Sequence, residues 1–420
     1  MRSTYISVGI LFCSILLLMV PAKPSLAASA CSGGKTASET LNGQIIQNAK
    51  GLSEALSNAS GGETIVLAGG DYGALHIRKA FKSPIAIRSA DPGSPACFTE
   101  LRLNGAGNLT LDGLLFDYSY KSGDKNRTNY FSIRNSHKIT ISNSVFDGDY
   151  NAGIGHGRGL LIRDSSKVTI SNSVFRKWWK ALTGVHSTYL TIRRNQFYDI
   201  RADGMIFSGM DDLVIELNRL HNFRASTSRD HRDMIQLIRS TNRGSSNIVI
   251  RDNIFDIGAG DYTQTIFMGK SGKNTNDPLL RHKNVLIENN VIYNAHLHGI
   301  SIHGADNLSI RKNSIIRVRQ PNDGKVTIPR INVSASTYVV IEQNVVGEIK
   351  GYQNQQDWAV LNNVIVQDQS PSKPGYYDRE FIYYATGAAN GFHEYGVRPG
   401  SEVDRLKAGS TLVKNYPTRR

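Results

Sequence analysis

The segment TSRDHRDMIQLIRST (227–241) sets Asp230, His231, Arg232 and Asp233 side by side, then turns at once to the alternation Met234, Ile235, Gln236, Leu237. An imidazole beside carboxylates suits proton transfer, and a guanidinium suits neutralising an anionic substrate group. A second dense stretch, NAHLHGISIHG (294–304), brings His296, His298 and His303, and Tyr262, Gln264 and Lys270 lie between the two. Such a set fits removal of a proton beside a carboxylate. His231, His298 or Tyr262 would serve as base or acid, Arg232 and Lys270 would carry the compensating charge, and Asp233 completes the constellation. Gln236, Arg239, Gln264, His296, His303 and Arg330 are the expected substrate contacts. Plainer readings compete: a charge run is often a solvated face with weak ion pairs, Asp233 suits a turn, and Gln236 and Gln264 suit a hydrogen-bonding role inside a stack. Asp203, Asp230 and Asp233 also offer oxygen ligands of the kind Ca2+ takes. The three histidines suit a metal less well, because His296 and His298 share a face of a strand that His303 leaves.

What must position these residues is a repeat. The pattern recurs as ITISNSVF (139–146), VTISNSVF (168–175), LTIRRNQF (190–197), LVIELNRL (213–220), IVIRDNIF (248–255), VLIENNVI (285–292), LSIRKNSI (308–315) and VVIEQNVV (339–346), with LTLDGLLF (109–116) as a degenerate first copy. Each unit alternates apolar and polar residues, the period of a strand. The central Ile recurs at 141, 170, 192, 215, 250, 287, 310 and 341, in steps as short as 22 residues. That is too short for a strand, a crossover helix and a second strand, which need ~30 residues or more. It suits one coil of a parallel β-solenoid, stacked at roughly 4.8 Å.

Three positions after each marker stand Ser144, Ser173, Asn195, Asn218, Asn253, Asn290, Asn313 and Asn344. Their expected role is a ladder that satisfies backbone groups at a bend. Two positions further, Phe146, Phe175, Phe197, Leu220, Phe255, Ile292, Ile315 and Val346 predict an apolar core column.

Extra residues in a solenoid leave the stack as loops, and loops carry function. The two longest steps, 35 and 37 residues, are adjacent and follow Ile215 and Ile250, so the ionisable segment re-enters the stack at its most elaborated point. Aligning the strands after these excursions predicts one column of Gly204, Asp233, Gln264 and Gly299. The column before it would hold Asp203, Arg232, Thr263 and His298, and the one before that Ala202, His231, Tyr262 and Leu297. His231 with Tyr262, and Arg232 with His298, are then expected within reach of one sugar ring.

The ends of the chain bound the setting. Arg2 followed by the apolar run Val8–Val20 and the small residues around Ala27 has the form of a secretory leader, 1–27, with too short a core for a membrane span. Export into an oxidising compartment, periplasmic or extracellular, makes Cys31 and Cys97 a default disulfide. No comparable apolar segment follows, so no integral membrane span is expected after the leader. Residues 28–100 are expected to form an N-terminal cap with a short helix and the first strands, 101–366 the coils, and 367–420 an irregular C-terminal cap or tail. The formal net charge of +14 favours a polyanionic partner. No Lys/Arg run of nucleic-acid type appears, so acidic polysaccharide leads over nucleic acid, and the residues leave the oligomeric state open.

With its leader, the capping segment GGETIVLAGGDYGALHI (61–77) and the Asn-marked coils, the sequence resembles the right-handed parallel β-helix proteins that act on polysaccharides: pectate lyases, chondroitinase-B-like and alginate lyases, mannuronan C5-epimerases and polygalacturonases. The resemblance covers most of residues 60–365. It implies an all-β fold, a right-handed parallel β-helix, and an exported enzyme cleaving a uronate polymer by β-elimination, with a C5-epimerase needing the same parts. Polygalacturonases carry along successive coils an Asn-Thr-Asp run, an Asp-Asp pair, a Gly-His-Gly run and an Arg-Ile-Lys run. Here HRDMIQ (231–236), YTQTIF (262–267), LHGISI (297–302) and PRINV (329–333) match at Asp233, His298-Gly299 and Arg330-Ile331, while Thr263-Gln264 stands in place of the acidic pair. Inverting hydrolysis, which needs two carboxylates, is the alternative, and a non-catalytic polysaccharide-binding β-helix is the second.

Overall fold

The computed structural model describes residues 45–224, 230–238, 240, 243–269, 277–318, 328–383 and 392–415. The expected leader, Cys31, Arg239 and Lys270 lie outside the described residues.

The alternating repeat folds as its period demands. Among the described residues, parallel strands build two twelve-stranded sheets and one eleven-stranded sheet, and the chain visits all three in each coil of an all-β, right-handed parallel β-helix. The repeat copies form the first sheet, with the marker residues Ile141, Ile170, Ile192, Ile215, Ile250, Ile287, Ile310 and Ile341 paired directly, coil to coil. Every marker is fully buried.

The bend from the first sheet to the second is where the expected ladder stands. Asn253 shows the pattern: its Oδ1 accepts from the backbone N–H of Asn218 at 2.9 Å, and its Nδ2 donates to the carbonyl of Ile215 at 2.9 Å and to Oδ1 of Asn290 at 3.0 Å. A bend buried inside a stack strands backbone donors that no sheet can satisfy, and the ladder amide supplies their acceptors. The residue before each rung adopts the left-handed backbone, including Arg194, Leu217, Lys312 and Gln343 at φ between 52° and 59°. A side chain disfavours that conformation, so the ladder bonds offset a local cost at each corner. The ladder continues one rung beyond the last repeat copy, to Asn363.

Below the ladder the apolar column is a stack of rings. Phe146 and Phe175 lie 4.5 Å apart at 2°, and Phe175 and Phe197 4.8 Å apart at 7°. Trp178 is fully buried and its Nε1 donates to the carbonyl of Phe146, whereas Trp179 stays at the surface between Arg158 and Lys180.

A helix, Ala49–Asn58, precedes the first coil, capped by Asn48 and anchored by the buried Leu52. Cys97 is buried and disulfide-bonded, and Cys31, its expected partner, lies outside the described residues. After the last coil the chain turns back along the outside of the second sheet: both the backbone N–H and Nδ1 of His393 meet the carboxylate of Asp256, 137 residues earlier. No described helix is long and apolar enough to cross a membrane.

Candidate active site

The third sheet carries the site, at the point where each coil enters it. Strands Arg158–Arg163, Lys180–Val185, Met205–Ser208, Asp233–Ile238, Gln264–Met268, His298–His303 and Arg330–Ser334 stack in that order. Two residues into most of them an apolar side chain points into the core: Leu160, Leu182, Met205, Ile235, Ile266 and Ile300 are paired and buried. The residues two places earlier therefore form one lateral column: Arg158, Lys180, Asp203, Asp233, Gln264, His298. Arg330 continues it, paired with His298 across a local register irregularity.

This register corrects the sequence alignment by one residue. Asp233 pairs with Gln264 as expected, but Met205 pairs with Ile235, so Asp203 and not Gly204 stands level with Asp233. On the other side His298, not Gly299, is level with Gln264, since Ile266 pairs with Ile300. The slip arises because the excursions enter the sheet through turns of different length, and a one-residue slip moves every side chain to the other face. The physical gain is a pair of carboxylates in adjacent coils, Asp203 and Asp233, beside a lysine that sequence reasoning missed. The signal for Lys180 was its place at the head of the strand in WWKAL, two residues before the core Leu182.

Both carboxylates are buried, Asp203 at 1 % exposure and Asp233 at 0 %. Lys180 Nζ binds Asp203 Oδ2, and His231 Nδ1 lies 2.9 Å from Asp233 Oδ2. Oδ1 of Asp203 and both oxygens of Asp233 lack a partner in hydrogen-bond geometry among the described residues, so His231 meets Asp233 as a close ion pair. Leaving a buried carboxylate oxygen unmatched is expensive, and such groups concentrate at functional sites. Burial, with the neighbouring Asp233, pushes the Asp203 carboxyl up to about 6 against the opposing pull of Lys180. Burial also raises Asp233, although His231 works against it.

His231 is the exposed member, with 58 % of its side chain in solvent. The close contact with Asp233 raises its pKa, and its second ring nitrogen, Nε2, lies 2.8 Å from the side-chain amide nitrogen of Gln264. With Nδ1 bearing the proton toward Asp233, Nε2 is left as an acceptor for the amide N–H. The Tyr262 ring packs on His296, with centroids 4.0 Å apart. His296 in turn accepts from the backbone N–H of His298 at 3.0 Å. Burial, with His298, Arg232 and His231 adding like charge, brings the His296 pKa down to about 3, so it stays neutral. His298 Nδ1 sits 2.7 Å from Ser301 Oγ, and burial and Arg330 lower its pKa.

Arg232 is half-buried, acts on His296 through its charge, and stands one residue before the column that holds His298. Arg330 reaches Glu348 at 3.4 Å. Gln236 lies on the outer face of the sheet between Ile206 and Phe267, so it is no interior ladder residue. His303, at the far end of the strand from His298, sits 2.8 Å from Ser334 Oγ and is away from the column.

The carboxylates proposed for Ca2+ do not converge. Asp230 is taken by Arg201 at 2.7 Å, Asp203 by Lys180 and Asp233 by His231. Among the described residues no group of three or more His, Cys, Asp or Glu is placed to hold a metal ion, so the triad does not fit a calcium ligand set.

Residues 129–278 match the family model of the right handed beta helix region. No curated protein matches the chain. Among solved structures, the Dettilon tailspike protein aligns at 14 % identity over 78 % of this chain and 63 % of its own, with a TM-score of 0.56, so the chain spans about 63 % of the tailspike's length. PfbA, a surface adhesin of Streptococcus pneumoniae, aligns at 17 % identity over 83 % of this chain and 95 % of its own, with a TM-score of 0.46. The alginate lyase AlyGC of family PL6 aligns at 15 % over 89 % of this chain and 57 % of its own, at 0.47. At 14 % identity the likeness to the tailspike carries architecture and not chemistry.

Proposed function

We propose that the chain is a polysaccharide lyase acting on a uronate polymer by β-elimination, with His231 as the base. The observation that carries this reading is the pairing of an exposed imidazole with a fully buried carboxylate: the His231 side chain is 58 % exposed, Asp233 holds its Nδ1, and Nε2 faces only the side-chain amide of Gln264, which the substrate displaces. Nε2 takes the C5 proton, the electron pair forms the C4–C5 double bond, and the C4–O bond breaks. The leaving oxygen takes a proton from solvent water, because the lowered pKa of His298 leaves its imidazole neutral where His231 is unprotonated. C5 is acidic only when the neighbouring carboxylate is neutralised, the part given to Arg232 and Arg330.

Hydrolysis by the Asp203 and Asp233 pair is the second reading, favoured by a carboxyl raised to about 6 beside another carboxylate. Exposures of 1 % and 0 % weigh against it, because neither oxygen pair reaches a glycosidic bond from inside the wall. The two carboxylates are better placed to hold Lys180 and His231.

The leader-like residues 1–27 and the basic charge fit an exported protein that meets acidic polysaccharide outside the cytoplasm. Incubating the purified protein with a panel of acidic polysaccharides, with and without a calcium chelator, tests the reading. Ultraviolet absorbance from unsaturated ends supports elimination, and chelator sensitivity would bring calcium into the site. New reducing ends without that absorbance would replace it by hydrolysis. Proton exchange at C5 without chain scission would mean epimerisation, and retention without any reaction a binding protein.

A further inference from the structure

Toward the N-terminal end of the same column, two cations stand in consecutive coils with different company. Lys180 is engaged by Asp203. Arg158, paired with Lys180 in the next coil, makes no ion pair among the described residues, and its Nε is buried without a hydrogen-bond partner. Burial and the like charges of Arg127 and Arg163 lower its pKa, opposed only by Asp203. A half-buried guanidinium has five donors in a fixed fork, and a planar carboxylate matches it.

The surroundings fit a sugar acid. The Trp179 ring lies between the two cations, 5.4 Å from the Arg158 guanidinium carbon and 5.0 Å from Lys180 Nζ, and its own Nε1 is buried without a partner. Beside them a cavity opens on the outer face of the third sheet, lined by Arg158, Lys180, Thr183, Val185, Ile206 and Ser208. Its lining combines aliphatic side chains, two hydroxyls and two cations. A pyranose ring offers the matching set: an apolar face, hydroxyls and one carboxylate.

We propose that this cavity binds the carboxylate of a second uronate residue, making Arg158 a specificity-determining residue for an acidic chain that lies along the solenoid axis. The proposal rests on the uronate reading of the His231 site. Arg158 stands three coils from Asp233, roughly 14 Å at the spacing of adjacent strands. Only an oligomer of several units reaches both places, so the contribution of Arg158 depends on substrate length.

Uronate oligomers of graded length, with neutral oligomers of equal length as controls, are measured for binding by calorimetry and for turnover. The proteins are wild type, Arg158→Gln, Arg158→Lys and Thr183→Val, each checked by thermal melting. Loss of a charge-assisted contact should weaken Arg158→Gln about tenfold to a hundredfold on long oligomers, in KM and not in kcat, with no change on the shortest. Arg158→Lys should recover part of the loss, and Thr183→Val should show a smaller one of the same length dependence. Equal KM for wild type and Arg158→Gln at every length, with the wild type active, overturns the proposal and leaves the His231 reading standing. Failure of the wild type to bind any uronate oligomer overturns both.

Discussion

His231 Nδ1 lies 2.9 Å from Oδ2 of Asp233, and the two residues differ as much as neighbours can: one side chain is 58 % exposed, the other 0 %. A buried carboxylate fixes the tautomer and orientation of an imidazole that solvent and substrate can reach. Replacing His231 by Gln should lower turnover on the responsive polymer by about 10²–10⁴-fold, the usual range for a lost general base. The melting temperature should change little, since the side chain leaves no cavity. A variant that keeps full turnover would remove His231 from the chemistry.

The pH dependence follows from the same pair. Asp233 raises the pKa of His231, and a base must be unprotonated, so kcat/KM should rise with pH through a value above the usual histidine range. In Asp233→Asn the raising charge is gone, and the acid limb should move to lower pH while maximal turnover falls. An unmoved acid limb in the pH–rate profile assigns that limb to another group.

Asp203 links pH to stability. Its folded pKa, about 6, is above the usual carboxylate value because burial and Asp233 penalise its charge. On Asp203 the folded state therefore holds more protons than the unfolded state between about pH 4 and pH 6, so the Asp203 contribution to stability falls as pH rises through that window. In Asp203→Asn this slope should flatten, read as melting temperature against pH, even though the loss of the Lys180 partner lowers the absolute value. A slope identical to wild type would mean that Asp203 stays charged throughout.

The scaffold was far more legible than the site, for a reason these residues make plain. A coil of 22 or 23 residues leaves a ladder residue no freedom, so the spacing of Asn195, Asn218 and Asn253 from their marker isoleucines announced both sheet and bend. The candidate site joins coils of unequal length: Asp233 and Gln264 fall within the 35- and 37-residue steps while Asp203 and His298 stand in 23-residue coils, and the turn that brings a long coil level with a short one cannot be counted from a pattern. Hence the Asp233–Gln264 pairing was readable, whereas the Asp203–Asp233 pairing was displaced by one residue. Lys180 and Arg158 went unnoticed because they stand outside the two longest coils, where nothing but the three-dimensional column distinguishes them from surface charge.

The ladder itself makes a quantitative prediction. Asn253 accepts a backbone N–H from Asn218 and donates to the carbonyls of Ile215 and Arg251, all while fully buried. Asn253→Ala strands these groups inside the stack, which should cost about 1–3 kcal/mol for each buried group left unmatched. Chemical denaturation should show a lower midpoint, while the column on the third sheet keeps its substrate affinity in the folded protein. A change below a few tenths of a kcal/mol would mean that water enters the bend.

The returning C-terminal segment depends on one anchor more than on its length. Asp256 is fully buried and receives three donors: the Gly258 N–H at 2.8 Å, the His393 N–H at 2.8 Å and His393 Nδ1 at 2.7 Å. Removing the imidazole in His393→Ala deletes one charge-assisted bond and the packing of its ring near Tyr293, but leaves the solenoid's own strand pairing intact. The segment from residue 392 should then open more often, because local opening is governed by its few contacts and not by the global stability. Limited proteolysis should release a C-terminal fragment faster from the variant, with an unchanged melt of the remaining coils. Equal cleavage rates would show that Ser410 and Thr411, bonded to Ser314 and Asn289, hold the segment without His393.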